Sequence, residues 1–200
     1  MSLTIRDTLR EYDVILASSS PRRKELMQLL CSSFRVIPPE CDEKLPAELE
    51  TDQAAEYLSD LKCRYIAEIY ENSVVIGCDT IVLCGGAIYG KPSSDEDAKR
   101  MLQALSGRTH EVVSGVTIGY KNNFLSFSSR TKVTFRNLSQ EDIEAYCRSG
   151  EPNDKAGAYG IQGLGSLLVE KIEGEYYNVV GLPVSEIANK LPDFLKMCQN

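Results

Sequence analysis

Two short aliphatic runs, DVILA at Asp13–Ala17 and VVIGCD at Val74–Asp79, constrain this chain more than any other feature. Neither alternates apolar with polar residues, so each suits a strand covered on both faces in the middle of a sheet flanked by helices. Helical signals alternate with such strands along the chain. Ser20 as N-cap and Pro21 at the first helical position open a helix to about Leu30. A second strand, FRVIP, and an acidic turn, PECDEK, lead to a long helix from about Asp52 to Tyr70, with apolar residues at Ala54, Leu58, Leu61, Tyr65 and Ile69. Direct hairpins occur as well: one turns at Gly85 and Gly86, another at Asn122 and Asn123. Capped helices follow Ser94 and Leu138, the second closed by Gly150, and a last helix runs from about Val184 to Pro192. Crossovers and hairpins together predict an α/β fold, a single domain over 1–200 with a mixed, twisted sheet flanked by helices.

Charge and cysteine usage narrow the function. A net charge of -7 and a pI near 4.9 argue against a surface that tracks nucleic-acid phosphates, so an anionic ligand has to be met by a local cluster. The seven cysteines form no CxxC pair and suggest neither a zinc site nor a disulfide framework. The opening MSLTIRDTLREY lacks the apolar core of a signal peptide, and no apolar run approaches membrane-spanning length. A soluble, cytoplasmic protein with no membrane partner is expected.

One such cluster is LASSSPRRKEL. It combines a helix N-terminus, the hydroxyls of Ser18, Ser19 and Ser20, and the charges of Arg22, Arg23 and Lys24, which together suit phosphate, although a well-capped helix with a solvated basic turn explains the stretch equally. It is not a P-loop, since the glycines and the GK[ST] ending are absent. Asp79 ends an aliphatic strand, where a carboxylate is costly unless it meets a metal or a cation. The carboxyl ends of strands in open α/β sheets collect ligands, which makes Asp79 a candidate metal ligand or general base. Lys62 interrupts the apolar stripe of its helix and either snorkels, the commoner case, or reaches a buried anion. Lys91 in GKP is a turn residue or a phosphate ligand. Asp42 and Glu43 suit Mg²⁺ or a basic partner. Gln162, within KAGAYGIQG, offers an amide able to donate to and accept from a base edge. The single histidine, His110, has no evident partner in sequence and reads as structural. Separate carboxylates and cations at strand ends suit metal-assisted chemistry on a polyphosphate.

In order along the chain, LASSSPRRKEL, the acidic pair Asp42–Glu43, Lys62, GCDTIV, GKP, AKRMLQALSGRTHEVVSGV, GEPNDKAGAYGIQGLG and EGEYYNVVGLP resemble the Maf family of nucleotide pyrophosphatases, over about Ile15–Pro183. The resemblance implies a fold like that of Maf and inosine triphosphatase proteins, and metal-dependent hydrolysis of nucleoside triphosphates between the α- and β-phosphates. It implies phosphate binding by Ser18, Ser20, Arg22 and Arg23, and a catalytic set of Asp79, Lys62, Lys91 and Asp42 or Glu43. Asp79 would be the proton acceptor, and Asp79 and Asp42 the ligands of Mg²⁺ or Mn²⁺. Arg22, Thr80 and Gln162 match the branch associated with dTTP and UTP. Cys63 and Cys78 stand where alanine is usual in the family; both are small. A homodimer is also implied. The alternatives within this resemblance are a preference for modified or purine nucleotides and a nucleotide-binding regulator of cell division.

Overall fold

The structure is a computed structural model and describes residues 5–199, so the first four residues of the opening MSLTIRDTLREY lie outside the described chain. Seven strands form one mixed sheet in the order β2-β1-β3-β5-β6-β7, with β4 paired to β3. The chain divides into two compact units, the first made of Met1–Asp79, Ser114–Ser129 and Gly181–Asn200, the second of Thr80–Val113 and Arg130–Val180. Strands β3 (Val74–Cys84), β5 (Thr109–Tyr120) and β6 (Asn123–Phe135) each contribute residues to both.

In the first unit, helix α1 (Ile5–Leu9) precedes β1 (Val14–Ala17), whose four residues are all buried. Helix α2 is Pro21–Leu30, and β2 is only Arg35–Val36, the middle of the expected FRVIP strand. Strand β1 pairs in parallel with β2 and with β3, the latter ladder ending at Ala17 opposite Gly77. Helix α3 (Ala54–Ala67) follows a 3-10 turn at Thr51–Gln53, so the expected helix from Asp52 to Tyr70 is shorter at both ends. Its buried face also differs from the expected stripe. Ala54 and Leu58 of that stripe are buried, but so are Ala55, Ser59, Lys62, Cys63 and Ile66, whereas Ile69 is 60% exposed. Small residues at 55, 59 and 63 lie against three glycines of the sheet, and this close approach outweighs the larger stripe. The hairpin between β5 and β6 turns at Lys121 and Asn122, both in the left-handed region, one residue earlier than Asn122–Asn123, and Asn123 already belongs to β6. Helix α7 (Val184–Met197) continues through Pro192 instead of ending there. Ile187, Leu191, Phe194 and Leu195 form a buried face that spans the proline, and their burial offsets the one donor that Pro192 lacks.

In the second unit, β4 (Ala87–Tyr89) returns antiparallel to the end of β3 after the turn at Gly85 and Gly86, both with positive φ. Helix α4 (Asp95–Leu105) is capped by Ser94, and α5 (Gln140–Arg148) by a full capping box of Ser139 and Asp142. Three 3-10 turns, the edge strand β7 (Val169–Glu173) and a short helix α6 (Tyr176–Val180) fill the glycine-rich segment expected to be loops and short strands. The core joins Leu102, Leu105, Val133, Phe135, Ile143 and Tyr159. His110 is buried there: its Nε2 meets the Tyr159 hydroxyl at 2.7 Å, while Nδ1 has no hydrogen-bond partner. Burial pushes its pKa down to about 4, so the ring is neutral at pH 7. Arg130 and Lys132 on β6 and Arg136 just past its end are exposed, between buried Thr131, Val133 and Phe135, the period of a solvated face. All seven cysteines are free thiols, and among the described residues no helix is long and apolar enough to cross a membrane.

Candidate active site

The site begins where β1 stops. Beyond Ala17 the chain turns through Ser18 and Ser19 into α2, whose N-cap, Ser20, accepts the Arg23 amide at 3.4 Å. Pro21 costs this helix nothing, since its first-turn N–H would have had no partner. Ser18 is buried, and its hydroxyl accepts the Ser20 amide at 3.2 Å and Arg23 Nη1 at 3.4 Å. Arg23 Nε donates to the Gly181 carbonyl at 2.9 Å, so this guanidinium is committed to the protein frame. The same carbonyl lies 3.4 Å from Cys78 Sγ. One backbone oxygen thus ties the start of α2 to the residue before Asp79. Arg22 is half-buried on the first turn, at the positive end of the helix dipole.

Asp79 was expected near the end of a strand, but β3 runs on through it to Cys84. It lies just past the end of the parallel ladder with β1 and before the antiparallel pairing with β4 that starts at Val82. Ser18 and Cys78 follow the last register pair, Ala17 and Gly77, so the serine turn and Asp79 both lie just past the end of the parallel ladder, at the carboxyl end of β1.

Helix α3 delivers the cation. A Cβ on Gly77 would lie 2.4 Å from the Ser59 carbonyl oxygen, one on Gly115 would lie 2.1 Å from that of Ala55, and one on Gly119 would lie 3.1 Å from Cys63 Sγ. Only glycine permits this approach, and it brings Lys62 over the sheet. Lys62 is 7% exposed, and its Nζ lies 2.5 Å from Asp79 Oδ1 and 2.8 Å from Glu43 Oε2. Burial works against its charge, but the neighbouring carboxylates, Asp79 above all, prevail and hold its pKa above the ordinary lysine value. The commoner snorkelling alternative is therefore replaced by a buried, paired ammonium. Of the acidic pair, Glu43 reaches Lys62, whereas the exposed Asp42 faces Lys44 at 3.0 Å.

Thr80, Lys91 and Gln162 belong to the second unit. Thr80 is half-buried in β3, and Lys91 is exposed just after Gly90, whose carbonyl accepts the Gly157 amide at 3.0 Å. Gln162 is exposed at the N-cap of the 3-10 turn Gly163–Leu168. The first unit therefore holds Ser18, Ser20, Arg22, Arg23, Glu43, Lys62 and Asp79, with Asp42 turned aside. Sequence reasoning missed the Gly181 carbonyl and the glycines beneath α3; the glycines in IGCD, VSGV and TIGY were the available signal.

Among the described residues no three His, Cys, Asp or Glu side chains gather into a metal cage. Two carboxylates converge on Lys62, however, and magnesium is commonly held by one or two carboxylates with substrate phosphates supplying the rest. The oxygen donors of Asp79 and Glu43 fit a metal of that shared kind.

Known proteins resemble this chain along most of its length. Residues 13–194 match the Maf family, described as Maf-like protein. The chain is 48% identical over 181 residues to the dTTP/UTP pyrophosphatase of Bacillus cereus (strain AH187), covering 90% of this chain and 95% of that one. It is 51% identical over 180 residues to the dTTP/UTP pyrophosphatase of Thermosipho africanus (strain TCF52B), covering 90% and 92%. Among solved structures, the Staphylococcus aureus Ham1 protein aligns with a TM-score of 0.53 at 15% identity over 92% of this chain and 98% of that chain, a likeness of fold. With this match across nearly its whole length, the chain belongs to the Maf-like protein family.

Proposed function

We propose that the protein is a nucleoside triphosphate pyrophosphatase that hydrolyses dTTP and UTP between the α- and β-phosphates, giving a monophosphate and pyrophosphate. The observation that carries this reading is the Glu43–Lys62–Asp79 cluster beside the serine turn and the N-terminus of α2. The names of relatives about half identical to this chain support the substrate class.

In the mechanism, the α2 entrance with Ser20 and Arg22 holds phosphate oxygens, while Ser18 and Arg23 brace that entrance from behind. Asp79 accepts a proton from the attacking water as the new P–O bond forms and the bridging P–O bond breaks, and pyrophosphate leaves. Lys62 fixes the direction of the Asp79 carboxylate and offsets negative charge that develops nearby. Asp79 and Glu43 are the residues that would hold Mg²⁺ or Mn²⁺, which supplies charge neutralisation on the phosphate oxygens when bound. Family resemblance places Lys91 in the catalytic set, offsetting developing charge, and Thr80 and Gln162 at the base; on the same ground the protein is a homodimer, and its sequence, with no signal-peptide core, supports work in the cytoplasm.

The test is pyrophosphate release from dTTP, UTP, CTP, GTP, ITP and 7-methyl-GTP, with Mg²⁺, Mn²⁺ or chelator, for the wild type and Asp79→Asn. Metal-dependent turnover led by dTTP and UTP is expected, with loss of at least about a hundredfold in the folded variant. Near-normal turnover by Asp79→Asn would remove Asp79 from the mechanism, and a purine at the head of the ranking would overturn the substrate assignment.

A further inference from the structure

The loop that carries Gln162 is organised by a carboxylate to which no role in this reaction has been assigned. Glu151 opens the 3-10 turn Glu151–Asp154, and its side chain reaches forward. Oε1 accepts the Leu164 amide at 3.0 Å and Oε2 the Gly165 amide at 3.2 Å. Gly163 has φ +65°, and a Cβ there would lie 2.7 Å from Glu151 Oε1, so the carboxylate lies directly against the residue after Gln162. On the other side of Gln162, the Gly160 amide donates to the Tyr146 hydroxyl at 3.2 Å. The ends of the loop also touch: a Cβ on Gly165 would lie 2.2 Å from the Gly160 carbonyl oxygen. Lys155 Nζ donates to the Glu151 carbonyl at 2.6 Å and packs its stem on Gly160. Residues 160–165 therefore form a closed loop, pinned on both sides, with Gln162 exposed between the pins.

An exposed glutamine on a glycine-rich loop would otherwise have to be ordered each time a ligand arrives, at a cost in affinity. Bonds from backbone amides to a carboxylate are charge-assisted and hold direction better than neutral ones. Resting on the reading of Gln162 as a base-recognising residue, we propose that Glu151 is a positioning residue. Its carboxylate fixes the backbone after Gln162, so that the amide meets the pyrimidine edge in a single orientation. Glu151 touches neither the phosphates nor the reacting atoms. Its other role, capping the turn Gly163–Leu168, would affect stability alike for every substrate and leave the ranking of bases untouched.

Steady-state kinetics of the full-length chain separate the two roles. KM and kcat are measured for UTP, dTTP and GTP with the wild type, Glu151→Gln, Gln162→Ala and the double variant, together with thermal denaturation of each. Glu151→Gln keeps the volume and loses the charge and one of the two acceptors. The expected result is a rise in KM for UTP and dTTP of roughly tenfold, larger than any change in kcat, and a narrowed lead over GTP. Added to Gln162→Ala, the same change should have no further effect on that lead, because the partner it acts through is gone. Equal losses for all three substrates, or effects that multiply in the double variant while Gln162→Ala alone shifts the ranking, overturn the proposal and leave Gln162 in place. If Gln162→Ala leaves the ranking unchanged, the assignment of Gln162 falls first and this proposal with it. Should Glu151→Gln fail to fold, Glu151→Asp, which keeps the charge but shortens the reach, carries the same comparison.

Discussion

Replacing Lys62 with methionine isolates what the buried ammonium does for the fold. The change keeps a long, flexible side chain in the space under α3 and removes the charge that stands between Asp79 and Glu43. Breaking a buried pair by deleting one partner costs about 3–5 kcal/mol, because the other charge is left without compensation. Here the Asp79 side chain is 15% exposed and that of Glu43 is 50% exposed, so water reaches the second carboxylate and part of the first. The lower end of the range applies, about 3 kcal/mol. At roughly 2–4 °C per kcal/mol for a chain of this length, the midpoint should fall by about 6–12 °C. The pH of measurement follows from the sign of the shift. A lysine whose folded-state pKa is raised contributes fully below its ordinary value of 10.5 and loses that contribution only as pH rises through the folded value. At pH 7 the whole deficit should therefore be visible by calorimetry or urea denaturation. The decisive control is Lys62→Met combined with Asp79→Asn, which removes the orphaned charge. Most of the lost stability should return, giving a coupling energy of a few kcal/mol. A single variant within about 0.5 kcal/mol of the wild type, or a double variant as poor as the sum of the singles, would refute the argument that the pair is strongly coupled.

Two further changes test other parts of the frame. Gly77→Ala would place a Cβ 2.4 Å from the Ser59 carbonyl oxygen, a backbone atom that has to move with its helix, so a loss of about 1–3 kcal/mol is expected with a fall in kcat as Lys62 is carried away from Asp79; unchanged kinetics would show that the close approach of α3 does not set the Lys62 contact. His110 has a folded-state pKa lowered to about 4, so the unfolded chain binds the extra proton first as pH falls. Its contribution is complete above about pH 6.5 and declines by about 3 kcal/mol on acidification to about pH 4. The stability difference between the wild type and His110→Gln should drift by that amount over this window and stay flat from pH 7 to 9; a flat difference throughout would contradict a buried neutral ring.

How much of this was legible in the sequence depended on whether the signal was local. The Ser20 cap, Pro21 and the aliphatic runs at 14–17 and 74–78 announce themselves through neighbours in the chain, and the structure has them as read. Lys62 did not. Its spacing alone favours a snorkelling side chain, because the carboxylates that pair with it come from a loop and from a different element. Periodicity marked it as a lysine on an apolar stripe, and only the family resemblance gave it a catalytic role. The stripe of α3 was misjudged for a related reason: large apolar residues mark a helix that packs at ordinary distance, whereas this helix packs closely through Ala55, Ser59 and Cys63 on glycines of two strands. Cys63, fully buried there, has its thiol pushed up to about 12 by burial. Pro192 shows the opposite failure, in which a local breaker signal yields to a buried face on both sides of it.

Formal charges account for the division of labour around Asp79. Glu43, Lys62 and Asp79 sum to minus one, which by itself repels a triphosphate. The turn at Ser18–Ser20 supplies hydroxyls and a helix dipole, and Arg23 uses two of its donors on the Gly181 carbonyl and Ser18, which leaves fewer N–H groups for a ligand than the sequence SPRR suggests. A cluster with this balance favours a substrate that brings a divalent cation with it. It also explains why an acidic protein can work on an acidic substrate: attraction is confined to the α2 entrance and the cation, while the negative remainder of the surface discourages longer polyanions such as nucleic acids from settling there. The buried Lys62 then has a role distinct from attraction. Bonded to both acids, it fixes the direction of the Asp79 carboxylate instead of adding to the pull on a ligand.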